Sequence, residues 1–280
     1  AKVFVSEGRQ TDAVAIYREA IQHRGDHTEL QNRLALLLAE LADPAADEAL
    51  GEAIRSSPVV RADLHVALGE RLAARGLKEE ARRQFEIAAN APTFSAATRN
   101  SRGMALLQLG RVAEAEATWR EVIRDYPEFG RAWLNLSSLS IQRQNWAEVE
   151  RYARIAVARE PNSAAAWNNL AIGLEELGRT TEAETTYRKA GSVDPRDYRA
   201  LFNLGILLRK STRYDEAAAV QKEVLTRNPA HGGAHFELGM LFAGPLGDPA
   251  RAKVHLRATI AANPNHPRAR QARKVLDQLP

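Results

Sequence analysis

One arrangement of residues returns about every 34 positions along this chain, and it limits the possible folds more than any single motif. Ala46, Ala81, Ala115, Ala183, Ala217 and Ala252 hold one point of the cycle, with Ala13 ahead of them and Val149 once in their place. Seven positions later stand Ala20, Ala53, Ala88, Ala156 and Ala190, loosened to Val122, Val224 and Thr259. A proline closes most units, at Pro58, Pro92, Pro127, Pro161, Pro195, Pro229 and Pro264. Near the front of successive units sits Gly69, Gly103, Ser137, Ala171, Gly205 or Gly239, small where two helices have to cross closely. A period in this range marks units that cannot bury a core alone and must stack on their neighbours.

The physical reading of one unit is a helix, a tight turn, a second helix and a proline stop. In residues 164–197, Trp167, Leu170 and Leu174 follow the three-and-four spacing of a helix face. Gly178 is expected to end that helix in a left-handed conformation. Thr181 with Glu184 three residues on reads as a capping box for the second helix, whose buried face is Ala183, Tyr187 and Ala190. Pro195 cannot continue it. Elsewhere the second helix is predicted to start at Asn145 with Glu148, at Asp43 before Pro44, and at Asp248 before Pro249.

The pattern resembles the tetratricopeptide repeat family, whose signature runs Trp, Leu, Gly and Tyr in the first helix, then Ala and Phe, then Pro. That resemblance implies an all-α, right-handed superhelical solenoid of antiparallel helix-turn-helix repeats. It covers nearly the whole chain as a single array, with units at 28–60, 62–95, 96–129, 130–163, 164–197, 198–231 and 232–266 and a capping helix at 267–280. Residues 1–27 read as a further unit without its opening, because Ala1 and Phe4 already occupy the small and aromatic front positions; the expectation is a piece of a longer protein. Arg99 and Arg102 stand where Trp and Leu would be buried, Gln221 replaces the second-helix aromatic, and His235 replaces a Trp. The unit at 28–60 is one residue short in its turn, and 243–247 make the last turn one residue long.

Composition suits thin helical layers, since 45% of residues are hydrophobic but only 6% aromatic. No apolar stretch approaches the length of a membrane helix, and the N-terminus lacks a signal-peptide layout. A soluble protein is expected, with the cytoplasm preferred to the periplasm. The absence of cysteine excludes disulfides, cysteine nucleophiles and thiolate metal sites. The net charge of +4 arises from 39 basic against 35 acidic residues, a near balance whose excess is mostly local to Arg268, Arg270, Arg273 and Lys274. No aromatic is interleaved with those cations, so they read as a solvated cap rather than a nucleic-acid patch.

No phosphate-cradling loop, zinc-protease helix or nucleophile elbow occurs, and no enzymatic activity is expected. His231 and His235, four residues apart, with His255 and His266 beyond, could in principle share a metal. Gly232 and Gly233 mark a junction between them and His235 takes a packing position, so the expectation is no metal and no cofactor.

What remains is surface. If first helices line a concave face, Asn135, Asn169 and Asn203 stand 34 residues apart along it, with Asn32 similarly placed earlier. Arg131, Leu134, Asn168, Ile172, Arg199, Phe202, Ile206, Phe236 and Met240 lie around them. Amides can donate to and accept from a peptide backbone, and exposed Phe202, Ile206 and Phe236 would form an apolar patch. Arg131 and Arg199 would favour some negative charge in the ligand. The sequence therefore predicts a scaffold whose groove binds a protein or peptide segment through Arg131, Asn135, Asn168, Asn169, Ile172, Arg199, Phe202, Asn203, Ile206 and Phe236. The alternatives are the repeat region of a larger enzyme, such as a sulfatase-like hydrolase or a glycosyltransferase, and self-association by end-to-end stacking. A clamp that some family members use for chaperone C-termini would fall on Leu134 and Ser138, Asn169, and Arg199 and Asn203. Only the central Asn and one basic residue match, so a chaperone-tail receptor is not expected.

Overall fold

A computed structural model describes residues 10–22 and 27–280. Ala1 and Phe4 lie outside the described residues. Every regular element among the described residues is a helix, and these residues form two compact bodies that divide between 139 and 140.

In the first body α1 spans Gln10–Gln22. Then α2 (Thr28–Glu40) pairs with α3 (Ala46–Ser56), α4 (Ala62–Ala74) with α5 (Lys78–Asn90), and α6 (Ala96–Gln108) with α7 (Val112–Asp125). Helix α8 (Gly130–Gln142) crosses the division. In the second body α9 (Trp146–Arg159) leads into three further pairs: α10 (Ala164–Glu176) with α11 (Thr180–Val193), α12 (Arg199–Lys210) with α13 (Tyr214–Arg227), and α14 (Gly232–Ala243) with α15 (Pro249–Ala262). Helix α16 (Pro267–Leu276) covers α15. None of the described helices is long and apolar enough to cross a membrane.

The small residue near the front of each first helix faces one large side chain of the second. A Cβ on Gly69 would meet Phe85 at 2.6 Å, on Gly103 Trp119 at 2.4 Å, on Gly205 Gln221 at 2.3 Å, and on Gly239 Leu256 at 2.6 Å. Partners are sixteen residues apart in the first three crossings and seventeen in the last, because the α14–α15 turn carries an extra residue. At the other end Ala35 packs in one cluster with Leu50, fifteen residues on, in the unit with the shortened turn. The helix pair thus keeps its crossing and moves the length variation into the turn.

The turns repeat as closely as the core. Gly76, Gly110 and Gly178 are left-handed, with φ of 80°, 77° and 77°. Behind Gly178 the amides of Gly178 and Arg179 reach the carbonyls of Glu175 and Leu174, closing α10 as expected. Ala42, Gln144 and Thr212 adopt the same conformation at the same point of the cycle without being glycine. The capping box expected at Thr181 and Glu184 does not form. Helix α11 begins two residues earlier than that box requires, its N-cap is Arg179, and Arg179 grips Glu182 through Nε to Oε1 at 2.6 Å. Arg111 with Glu114 and Arg213 with Glu216 repeat this fork, each at 2.7 Å. Asn145 and Asp248 do cap their helices, accepting from the amides of Glu148 and Arg251.

Candidate interaction surface

The first helices are held in place by a bond that the motif alone does not reveal. The Trp133 indole donates to the Pro127 carbonyl at 2.9 Å, and the Trp167 indole to Pro161 at 2.8 Å. His235 stands at the same cycle position and its Nε2 lies 3.0 Å from the Pro229 carbonyl. The proline that ends one repeat leaves a carbonyl which the next repeat's aromatic N–H satisfies. Arg99, where a Trp was the family residue, instead pairs with Asp125 at 2.7 Å and lies over the Tyr126 ring. Arg102 points to solvent.

In the second body, α10, α12 and α14 carry matched side chains at three successive points. Asn168, Phe202 and Phe236 form one row, Asn169, Asn203 and Glu237 the next, and Ile172, Ile206 and Met240 the third. Asn203 donates to the Asn168 amide oxygen at 3.1 Å, so an amide of one row bridges to the preceding repeat's neighbouring row. The first body builds the same link, Asn135 donating to Asn100 at 2.8 Å. Asn169 is buried, while Ile172 and Ile206 are half-buried. Glu237 takes the asparagine place in the last repeat and is held by Arg209 at 2.8 Å.

Two features differ from the sequence expectation. Phe236 is not exposed: only 8% of it is accessible, because it packs with Leu256 and Ala272. The Arg268 guanidinium from α16 sits 5.8 Å from the ring centres of both Phe236 and Phe202. Phe202, half-buried, also has the His231 ring edge-on at 4.8 Å. Arg199 is not a free cation either, since Asp197 receives its Nε at 2.9 Å. Burial works to raise the Asp197 carboxyl, but its bonds to Arg199 outweigh this and hold it below the usual range. Arg131 in the first body is exposed with no ion pair among the described residues. Asn100 was not singled out from the sequence, and His231 and Arg268, read there as a metal candidate and as part of the cap, instead touch the predicted surface residues.

The histidines pair with each other. His235 Nδ1 and His255 Nδ1 are 3.0 Å apart, and His231 Nδ1 accepts the Ala234 amide as the N-cap of α14. Burial, then Arg268 and His235, lower the His231 pKa. Among the described residues no group of three or more His, Cys, Asp or Glu side chains could hold a metal.

Stacked helix pairs with a repeated face of amide and aliphatic side chains define a helical-repeat scaffold. Residues 100–148, 141–193, 173–231 and 202–244 match the tetratricopeptide repeat, and the chain belongs to that family. No curated protein sequence matches it. The crystal structure of the APC/C hetero-tetramer Cut9–Hcn1 superposes on 99% of this chain with a TM-score of 0.77 at 19% identity. Yeast Tom70 covers 97% with a TM-score of 0.62 at 16% identity. The chain spans 54% and 58% of those two chains. YrrB, described as a TPR protein with an unusual peptide-binding site, matches 72% of this chain over 97% of its own, with a TM-score of 0.51 at 17% identity. At these identities the likeness is one of fold.

Proposed function

We propose that the chain is a non-catalytic interaction scaffold that holds an extended partner segment along the first-helix face of α10 and α12. The observation that carries this reading is the coincidence, on adjacent helices, of the Asn168–Asn203 amide pair with half-buried Ile172, Ile206 and Phe202. Asn203 spends one donor on Asn168 and keeps amide capacity over, which suits the main-chain groups of an extended ligand. Ile172, Ile206 and the open part of Phe202 would take its apolar side chains. Phe236 packs in the core against Leu256 and Ala272 rather than serving as a contact, and Arg199 acts as a neutral pair with Asp197. Arg131 and Asn135 offer the same chemistry on α8 in the first body.

Amide contacts and aromatic anchors carry most of such an interface, so Asn169→Ala with Phe202→Ala is expected to weaken binding by about 2–4 kcal/mol. The check is titration calorimetry with a partner recovered by affinity capture, alongside circular dichroism to show that the helices persist. A partner that binds the double variant as tightly as the parent, and is lost when residues 267–280 are removed, would move the site to the basic cap.

A further inference from the structure

In the first body the faces of α2, α4 and α6 enclose an open groove of about 470 Å³ that also reaches Phe129 and Arg131. Its floor is mostly small or apolar, with Leu36, Val66, Ala67 and Met104 among the lining residues. Leu36, Glu70 and Met104 stand at one point of the cycle on successive first helices, the point that Ile172, Ile206 and Met240 occupy in the second body. One carboxylate therefore interrupts a row that is otherwise aliphatic or thioether on these helices.

The charges around the groove leave that carboxylate alone. Asp63 is bonded by Arg61, and Arg71 is committed to Asp47. Glu70 and Glu40 have no hydrogen bond or ion pair among the described residues. Arg131, likewise unpaired, shares the cycle position of Asp63, two helical turns or about 10 Å along the helix axis from that of Glu70. Helix α6 contributes no charge to the lining. Glu70 is exposed to water, although the groove around it still favours its neutral form and raises its pKa.

We propose that this groove docks a partner segment presenting a lysine or arginine side chain to Glu70, with apolar side chains on either side resting on Leu36 and Met104. It is a second docking site and rests on no residue of the α10–α12 face. Charge complementarity selects the occupant: a cation restores the partner that Glu70 lacks, Glu40 lies near enough in the lining to reinforce it, and an anionic side chain is repelled. A carboxyl whose folded pKa is raised binds protons more readily folded than unfolded, so its contribution to stability falls as pH rises through that window.

The test uses the full chain and three labelled nonapeptides of the pattern Ser-Gly-Leu-Ala-X-Ala-Leu-Gly-Ser, with X as lysine, norleucine or glutamate, followed by fluorescence anisotropy at low salt. The lysine peptide is expected to bind at least tenfold more tightly than the glutamate peptide, about one decade in affinity, with norleucine between them. Glu70→Gln should abolish the preference for lysine over norleucine while keeping the norleucine affinity, and Glu70→Lys should reverse the order. Because the Glu70 side chain is exposed and makes no ion pair among the described residues, Glu70→Gln should melt no lower than the parent. Acidification that protonates Glu70 should weaken the lysine peptide and leave the norleucine peptide unchanged. The Asn169→Ala, Phe202→Ala variant should leave the order intact; if the order vanishes there and survives in Glu70→Gln, the peptides occupy the α10–α12 face instead. Equal binding of lysine and glutamate peptides, or no binding at millimolar concentration, overturns the proposal.

Discussion

The crossing of α6 with α7 and that of α12 with α13 solve one packing problem with different side chains. At the first, Trp119 fills the space under Gly103 and its indole N–H reaches the Asn100 carbonyl at 3.3 Å. At the second, Gln221 fills the space under Gly205 and its amide N–H reaches the Phe202 carbonyl at 3.1 Å. The position requires bulk and a donor aimed at the same point of the first helix, not an aromatic as such. The substitution is not free: Gln221 brings an acceptor, and its Oε1 is buried without a partner. A buried unsatisfied acceptor costs roughly 1–3 kcal/mol.

Removing the two side chains should separate the crossings most clearly. Trp119→Ala is expected to cost about 3–5 kcal/mol, since it opens a large cavity in a dry interior. Gln221→Ala removes less volume and also the orphaned acceptor, so a loss below about 2 kcal/mol is expected. Urea unfolding followed by circular dichroism compares them, and equal losses would mean that Gln221 packs as effectively as Trp119.

A second contrast lies in the turns. Gly110 in the first body and Thr212 in the second occupy the same cycle position, with φ of 77° and 60°. A β-branched residue pays about 1–2 kcal/mol there, whereas glycine does not. Thr212→Gly should therefore stabilise by about 1 kcal/mol, while Gly110→Ala should destabilise by a similar amount. Thermal melts of the two variants should move in opposite directions; a shared direction would place the control outside the turn.

These contrasts mark what could be read from the sequence. The alanine and proline phases were enough to predict paired helices, because a small residue and a chain stop act the same way in every repeat. The left-handed turn was legible at Gly178 and invisible at Gln144 and Thr212, since there tertiary packing overrides local preference. The asparagine column was legible too, but its bonds run between neighbouring columns of successive repeats, so Asn100 went unnoticed as the partner of Asn135. Phe236 was misplaced for a different reason. Its burial depends on Leu256, shifted one residue by the longer turn, and on Ala272 and Arg268 of the cap, none of which its own unit specifies.

The smallest expected effect concerns two histidines that share a cycle position, His65 in the first body and His235 in the second. His65 Nδ1 meets the Gln84 amide oxygen at 2.7 Å, and that oxygen can accept from either the neutral or the charged ring. His235 has no such latitude. Its Nε2 faces the Pro229 carbonyl and must carry the proton there, so its neutral Nδ1 can only accept, and His255 Nδ1 must donate across the 3.0 Å contact. Protonating the pair sets two N–H groups against each other. The His255 pKa is lowered by burial, then by His235 and Lys222. Lys222 and Arg251 also flank the Phe242 ring that stacks on His255, Arg251 being paired with Asp248. A histidine with a depressed folded pKa contributes stability above its unfolded value of roughly 6.5 and loses it as pH falls through the window below. Helices α14 and α15 should then open more readily at about pH 5.5 than at neutrality, while α4 and α5 hold. Hydrogen exchange corrected for intrinsic rates reads this directly. His255→Phe should reduce the pH dependence of α15 and keep the stacking on Phe242, leaving only the part that His231 contributes as the N-cap of α14; if α15 loosens on acidification as much in that variant as in the parent, the histidine pair is not the cause.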